Sequence, residues 1–206
     1  MTLSQQPFTD LLRAFRSPDP TPGGGSASAL AGAVGASLLA MVAALPKSRA
    51  ETEEDARRLR AAGERCAAVS DRLAALIDED SRAYDDVVAA FKLPKTSDAE
   101  KSARSIRVQE ALRGATEVPL DVIRTSVDAL EQGAVVAEFG NPNARSDVQV
   151  GLELIGAAVR GARLNVDINL ETVKDEAYVT AVREEAETLA QAAARAQGRG
   201  RGYLPR

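Results

Sequence analysis

The chain has 206 residues, 45% of them hydrophobic and 27% charged, with a formal net charge of −4 and a sequence pI near 5.1. That length and apolar content suffice for one domain with a sizeable core, and the acidic balance argues against a general nucleic-acid binder. Histidine is absent and Cys66 is the lone cysteine, which excludes the commonest general base and metal ligand, any intrachain disulfide and any thiolate metal cage.

The N-terminal MTLSQQPFTD has neither a basic n-region nor an apolar h-region, so the expected location is the cytoplasm. A short helix is expected over Pro7–Phe15, with Phe8, Leu11, Leu12 and Phe15 on one face. Pro18-Asp-Pro-Thr-Pro-Gly-Gly-Gly-Ser26 follows. Its prolines stiffen the approach, and its glycines open onto a helix N-terminus, where free N–H groups and the positive dipole end suit an anion or a developing negative charge. An ordinary tight turn is the plainer reading of the same residues, and the spacing matches no nucleotide-binding fingerprint.

From Gly24 to Leu45 there is no charge. Large apolar residues recur at helical spacing (Leu30, Val34, Leu38, Met41, Val42, Leu45), and a strip of small ones (Gly25, Ala29, Gly32, Ala36, Ala43) lies opposite. A helix apolar all round belongs in a core or a bilayer. The bilayer is disfavoured because Ala, Gly and Ser contribute little insertion energy and no Trp or Tyr anchors flank the segment. It is therefore read as a central helix enclosed by neighbours on every side.

A long amphipathic helix is expected over about residues 51–91, with Gly63 as a point of bending and Cys66 as a small buried hydrophobe. Leu93-Pro94-Lys95 ends it, and Ser97 with Glu100 forms a capping box. The next helix is expected from Asp98 toward Glu117, interrupted at Pro119 and resuming to about Gln132. After the Gly140–Asn143 loop come helices over about 144–169 and 175–197, then a solvated tail, flexible from about residue 198. Arg195, Arg199, Arg201 and Arg206 belong to this C-terminal region. Period-two alternation is nowhere sustained. The fold class is all-α: one helical bundle over 1–206 around a small-residue-rich central helix.

Three places put polar groups where a core belongs. Asp80, Tyr84, Val87 and Phe91 share one helix face, either as a buried Asp–Tyr pair or as a working carboxylate. Asn143 and Asp147 sit at a loop-to-helix junction, where capping and dipole complementation are sufficient roles. Gly161, Asn165 and Asn169 repeat every four residues, and the two amides need partners from another helix, another subunit or a ligand.

Four stretches, PTPGGGSASALAGAVGASLLAMVA, DEDSRAYDDVVAAFKLPK, GNPNARSDVQVG and GARLNVDINL, together resemble the cyclodeaminase/cyclohydrolase family, that of the C-terminal domain of formimidoyltransferase-cyclodeaminase and of stand-alone methenyltetrahydrofolate cyclohydrolases. The match spans nearly the whole chain. It departs from the family pattern at Val148-Gln149, where Ala-Gly is frequent, and at Pro46-Lys-Ser, where many members have a Thr-x-Gly-Lys turn.

The resemblance implies an all-helical homodimer or larger assembly in one-carbon metabolism, acting on a tetrahydrofolate derivative as substrate with no metal and no separate cofactor. It implies hydrolysis of 5,10-methenyltetrahydrofolate to 10-formyltetrahydrofolate. The alternatives are 5-formimidoyltetrahydrofolate cyclodeamination with ammonia release, which the missing transferase domain makes the less expected reaction, and a non-catalytic folate-binding or structural oligomer. The methenyl carbon is a delocalised cation, so a nearby carboxylate both stabilises it and deprotonates the attacking water. Asp80 or Asp147 is assigned that part, Asp80 being favoured because burial raises a carboxyl pKa into a useful range. Tyr84 or Lys92 would handle the second proton. Pro22, Gly23, Gly24, Gly25 and Ser26 would present backbone donors to the folate, with Asn143, Asn165 and Asn169 lining the pocket.

Overall fold

The computed structural model describes residues 2–204. A 3-10 turn, Leu3–Gln5, precedes six α-helices: α1 Phe8–Phe15, α2 Gly24–Ala44, α3 Glu53–Phe91, α4 Asp98–Phe139, α5 Arg145–Leu170 and α6 Glu176–Gly202. A second 3-10 turn, Pro142–Ala144, leads into α5. No strand occurs among the described residues, as expected of an all-α chain. Arg206 lies outside the described residues.

Helix α2 lies between α3 and α5, with α4 behind it, and α6 packs on α4 and α5. The expectation that neighbours enclose α2 on every side needs correction. Its small residues turn inward, Gly25, Ala29, Gly32, Ala33, Gly35 and Ala36 being buried, while Val34 and Met41 stay 46% and 40% exposed. The reason is the closeness of α5. A Cβ at Gly35 would stand 2.7 Å from the Gly151 carbonyl oxygen, and one at Gly151 would stand 3.0 Å from that of Gly35. Even an Ala at either glycine would force the two backbones apart. Among the described residues α2 is the one helix long and apolar enough to cross a membrane, and half of its most apolar stretch is buried in the bundle.

Helix α3 starts with a capping box between Thr52 and Asp55, and α4 with the expected box between Ser97 and Glu100. Gly63 does not interrupt α3. It lets the helix approach α2, where a Cβ would stand 2.7 Å from the Ala43 methyl.

Pro119 does not interrupt α4 either; the helix runs through it to Phe139. A proline in mid-helix leaves the carbonyl four residues back without its donor, here that of Ala115. The side-chain amide of Asn169, on α5, donates to that oxygen at 2.8 Å. A neighbouring helix thus supplies the donor that proline lacks.

The expected tail from residue 198 also needs correction: α6 continues to Gly202. Gly200 is buried against Leu152, Gln197 donates to the Leu152 carbonyl at 2.9 Å, and Arg201 pairs with Glu153. Contacts with α5 and α4, invisible in the local pattern, hold this segment helical. Cys66 is fully buried in the core, as expected, and burial together with Asp128 pushes its thiol pKa up to about 12.

Candidate active site

The first turn of α2 is built without side chains. Gly23 is the N-cap and offers no side-chain hydrogen bond, and Gly24 and Gly25 follow. A carboxylate from α3 takes the place of a local cap. Asp80 Oδ2 accepts from the Ser26 backbone N–H at 2.8 Å and from the Ser26 hydroxyl at 2.8 Å. Acceptance of an N–H in the first helical turn is what a capping side chain ordinarily does, and the negative charge sits at the positive end of α2.

This meeting requires glycine at position 25. A Cβ there would overlap the Asp80 carboxyl group, Oδ1 most severely. Asp80 Oδ1 itself has no hydrogen-bond partner among the described residues. Burial raises the Asp80 pKa above its ordinary value, and the two hydrogen bonds from Ser26 oppose that rise without cancelling it. Asp80 as a whole is half-buried.

Helix α5 forms the other side. A Cβ on Gly24 would come within 3.3 Å of Asn165 Nδ2, which donates to the Gly161 carbonyl at 2.9 Å. Ser28 packs against Gly161, and its hydroxyl returns to the Gly24 carbonyl at 2.8 Å. Gly24, Gly25, Ser26, Asp80 and Asn165 are therefore brought to one corner, with Gly23 and the buried Pro22 leading into it. Tyr84 follows Asp80 by one turn of α3 and is 40% exposed at the rim.

The other assigned residues stand elsewhere in the chain. Asn169, one turn of α5 beyond Asn165, donates its amide to the Ala115 carbonyl at 2.8 Å. Lys92 is the C-cap of α3, twelve residues beyond Asp80 and so about 18 Å along the helix. Asp147 lies in the first turn of α5, eighteen residues from Asn165 and so about 27 Å away. Asn143 lies in the 3-10 turn just before it, its N–H bonded to Asn141 Oδ1. Sequence reasoning missed Ser26 as the partner of Asp80. The two are 54 residues apart, and nothing in the local pattern of either names the other.

A carboxylate presented at a glycine-built helix start, without imidazole, is the arrangement that the resemblance led one to expect. The formiminotransferase-cyclodeaminase family model matches residues 7–188. The chain belongs to that family.

A methenyltetrahydrofolate cyclohydrolase of Methylorubrum extorquens is 39% identical over 181 residues, which cover 86% of each chain. The formimidoyltransferase-cyclodeaminase of Sus scrofa is 34% identical over 192 residues, 93% of this chain but 36% of that longer protein. The crystal structure of formiminotetrahydrofolate cyclodeaminase from Thermotoga maritima superposes with a TM-score of 0.86 at 28% identity, covering 98% of this chain and 97% of the other. Relatives of this chain thus carry two activities in their names.

Proposed function

We propose that this chain hydrolyses 5,10-methenyltetrahydrofolate to 10-formyltetrahydrofolate, with Asp80 as the catalytic carboxylate. The observation that carries the reading is the placement of Asp80, bonded through Oδ2 to the start of α2 and with Oδ1 against Gly25 and without a hydrogen-bond partner among the described residues. The match to the Methylorubrum extorquens cyclohydrolase over most of both chains supports the choice of reaction.

In this reading the cationic methenyl carbon lies near Asp80 Oδ1, and the carboxylate stabilises its charge. Water adds to that carbon while Oδ1 takes one of its protons. The resulting carbinolamine collapses with cleavage of the bond to N5. N5 receives the proton from Asp80 and the hydroxyl proton leaves to solvent, so one proton is released per turnover. The Gly24 and Gly25 amides and the Asn165 side chain supply hydrogen bonds to the folate. In this reading Tyr84, one turn along α3 from Asp80, assists the second proton.

The second reading is cyclodeamination of 5-formimidoyltetrahydrofolate, favoured by the superposition on the Thermotoga maritima cyclodeaminase. The same carbon and the same carboxylate serve both. Loss of methenyl-folate absorbance above the spontaneous rate supports hydrolysis. Ammonia release from the formimidoyl compound without that loss moves the assignment to the second reaction, and neither signal leaves a non-catalytic bundle.

The working form in this proposal is a homodimer. The side of α2 and α5 left open by the bundle carries Val34, Met41, Val150, Leu164 and Ile168 in exposed positions. The ion pairs lie on other seams, such as Arg72 with Asp121, Arg124 with Glu185 and Arg163 with Glu187. Exposed apolar side chains repeated along two helices support association with a second copy.

A further inference from the structure

Ser26 is wholly buried and its hydroxyl has more acceptors than protons. Oγ lies 2.8 Å from Asp80 Oδ2, 3.1 Å from the Ile77 carbonyl oxygen and 3.4 Å from Ser81 Oγ. A serine hydroxyl donates once. The Ser26 N–H, by contrast, is a fixed donor to the same Oδ2 at 2.8 Å.

We propose that Ser26 is a positioning residue of the site: its two donors occupy Oδ2 of Asp80, and so direct the proton taken from water to Oδ1. The inference rests on Asp80 acting as the base in the hydrolysis proposed above. Oδ1 is the oxygen that faces Gly25 and has no partner among the described residues. With Asp80 ionised, the hydroxyl donates to the charged Oδ2, the stronger acceptor. Once Oδ1 is protonated, Oδ2 is a neutral carbonyl oxygen, and the hydroxyl turns to the Ile77 carbonyl at little cost while the amide keeps the carboxyl in register. The amide therefore sets geometry and the hydroxyl follows the proton.

The surroundings leave this pair in control of the titration. Helix α2 contributes no titratable side chain, and α5 contributes the uncharged Asn165. On α3, Asp78 is turned to the N-terminal turn, where it accepts from the Leu3 N–H at 2.6 Å and the Ser4 hydroxyl at 2.5 Å. Glu79 is paired with Arg72, and Tyr84 sits at the rim. The causes acting on the Asp80 pKa are burial and the two bonds from Ser26, with no charged neighbour among them.

The test is an NMR titration of the Asp80 carboxyl carbon and the Ser26 amide, in the native protein and in Ser26→Ala, together with kcat/KM against pH for methenyl-folate hydrolysis. In the native protein the Ser26 amide shift should move with the same midpoint as the Asp80 carboxyl. In Ser26→Ala, where one donor to the ionised form is gone, that midpoint should move to higher pH. The acid limb of kcat/KM should move with it, falling about tenfold on that limb with KM within about twofold. Adding Ser26→Ala to Asp80→Asn should slow the enzyme no further.

A Ser26 amide indifferent to the Asp80 titration, or an unmoved midpoint in Ser26→Ala, would overturn the proposal. Should Ser26→Ala fail to fold, the native amide and carboxyl still decide. Should the native protein not hydrolyse methenyl-folate, the function reading falls while the midpoints still report on Ser26.

Discussion

Burial sets the surroundings of Asp80 against its charged form. Its folded pKa lies above the ordinary carboxylate value because burial outweighs the hydrogen bonds from Ser26. The native state therefore binds a proton that the unfolded chain has released, and stability falls as pH rises from the usual carboxylate range through the raised pKa. Asp80→Asn should accordingly raise Tm at neutral pH, an advantage that fades below the usual carboxylate range. It should lower methenyl-folate hydrolysis at least about a hundredfold. Calorimetry at two pH values and the absorbance assay check the two halves, and a Tm lowered at neutral pH would contradict the burial argument. Cys66 offers a second check on interior chemistry. With its thiol pKa raised to about 12 by burial, it should stay unmodified by a thiol reagent at pH 8 in the native protein and react fully on unfolding.

Among elements, α4 and α5 are joined by a complementary defect. Pro119 removes one donor from α4, and Asn169 of α5 restores it at the Ala115 carbonyl. Asn169→Ala should cost about 1 kcal/mol by leaving that carbonyl unpaired. In a Pro119→Ala background, where position 119 regains its own N–H, the same substitution should cost measurably less. A double-mutant cycle by denaturant unfolding reads the coupling directly, and strict additivity would mean that the amide serves something else. The α2–α5 seam makes a similar prediction: Gly35→Ala places a methyl against the Gly151 carbonyl and Ile155. It should destabilise the fold by about 1–3 kcal/mol, measurable as a lower Tm.

On the scale of the whole molecule, α2 spans about 30 Å and α5 lies beside it. Val34, Met41, Val150, Leu164 and Ile168 stand exposed on these two helices, and a standard interface buries ~800 Å² per partner. Light scattering should give twice the chain mass of 21.7 kDa. Val34→Glu, which sets a charge in the middle of that face, should return the mass to that of one chain with helicity kept. A native monomer, or a dimer untouched by Val34→Glu, would remove this face from the proposal.

The helices were largely legible from the residues alone, because periodicity, proline and capping residues act within a few positions of one another. The amphipathic run of α3, the Ser97–Glu100 box and the glycine entry to α2 are all local signals, and so is the all-α class. The same holds for Asp80 as a carboxylate on an apolar face. What local signals do not carry is which face meets which neighbour. That α2 turns Gly25, Gly32 and Gly35 inward and Val34 and Met41 outward depends on how near α5 comes. That Pro119 leaves α4 whole depends on an amide 50 residues away in sequence. Asn143, Asp147 and Lys92 carry the right chemistry, but helix length sets them apart from Asp80. Composition and spacing decided the elements and the candidate chemistry; the close approach of α2, α3 and α5 decided which of those groups share a corner, because contact between distant segments is settled by packing distance and not by neighbours in the chain.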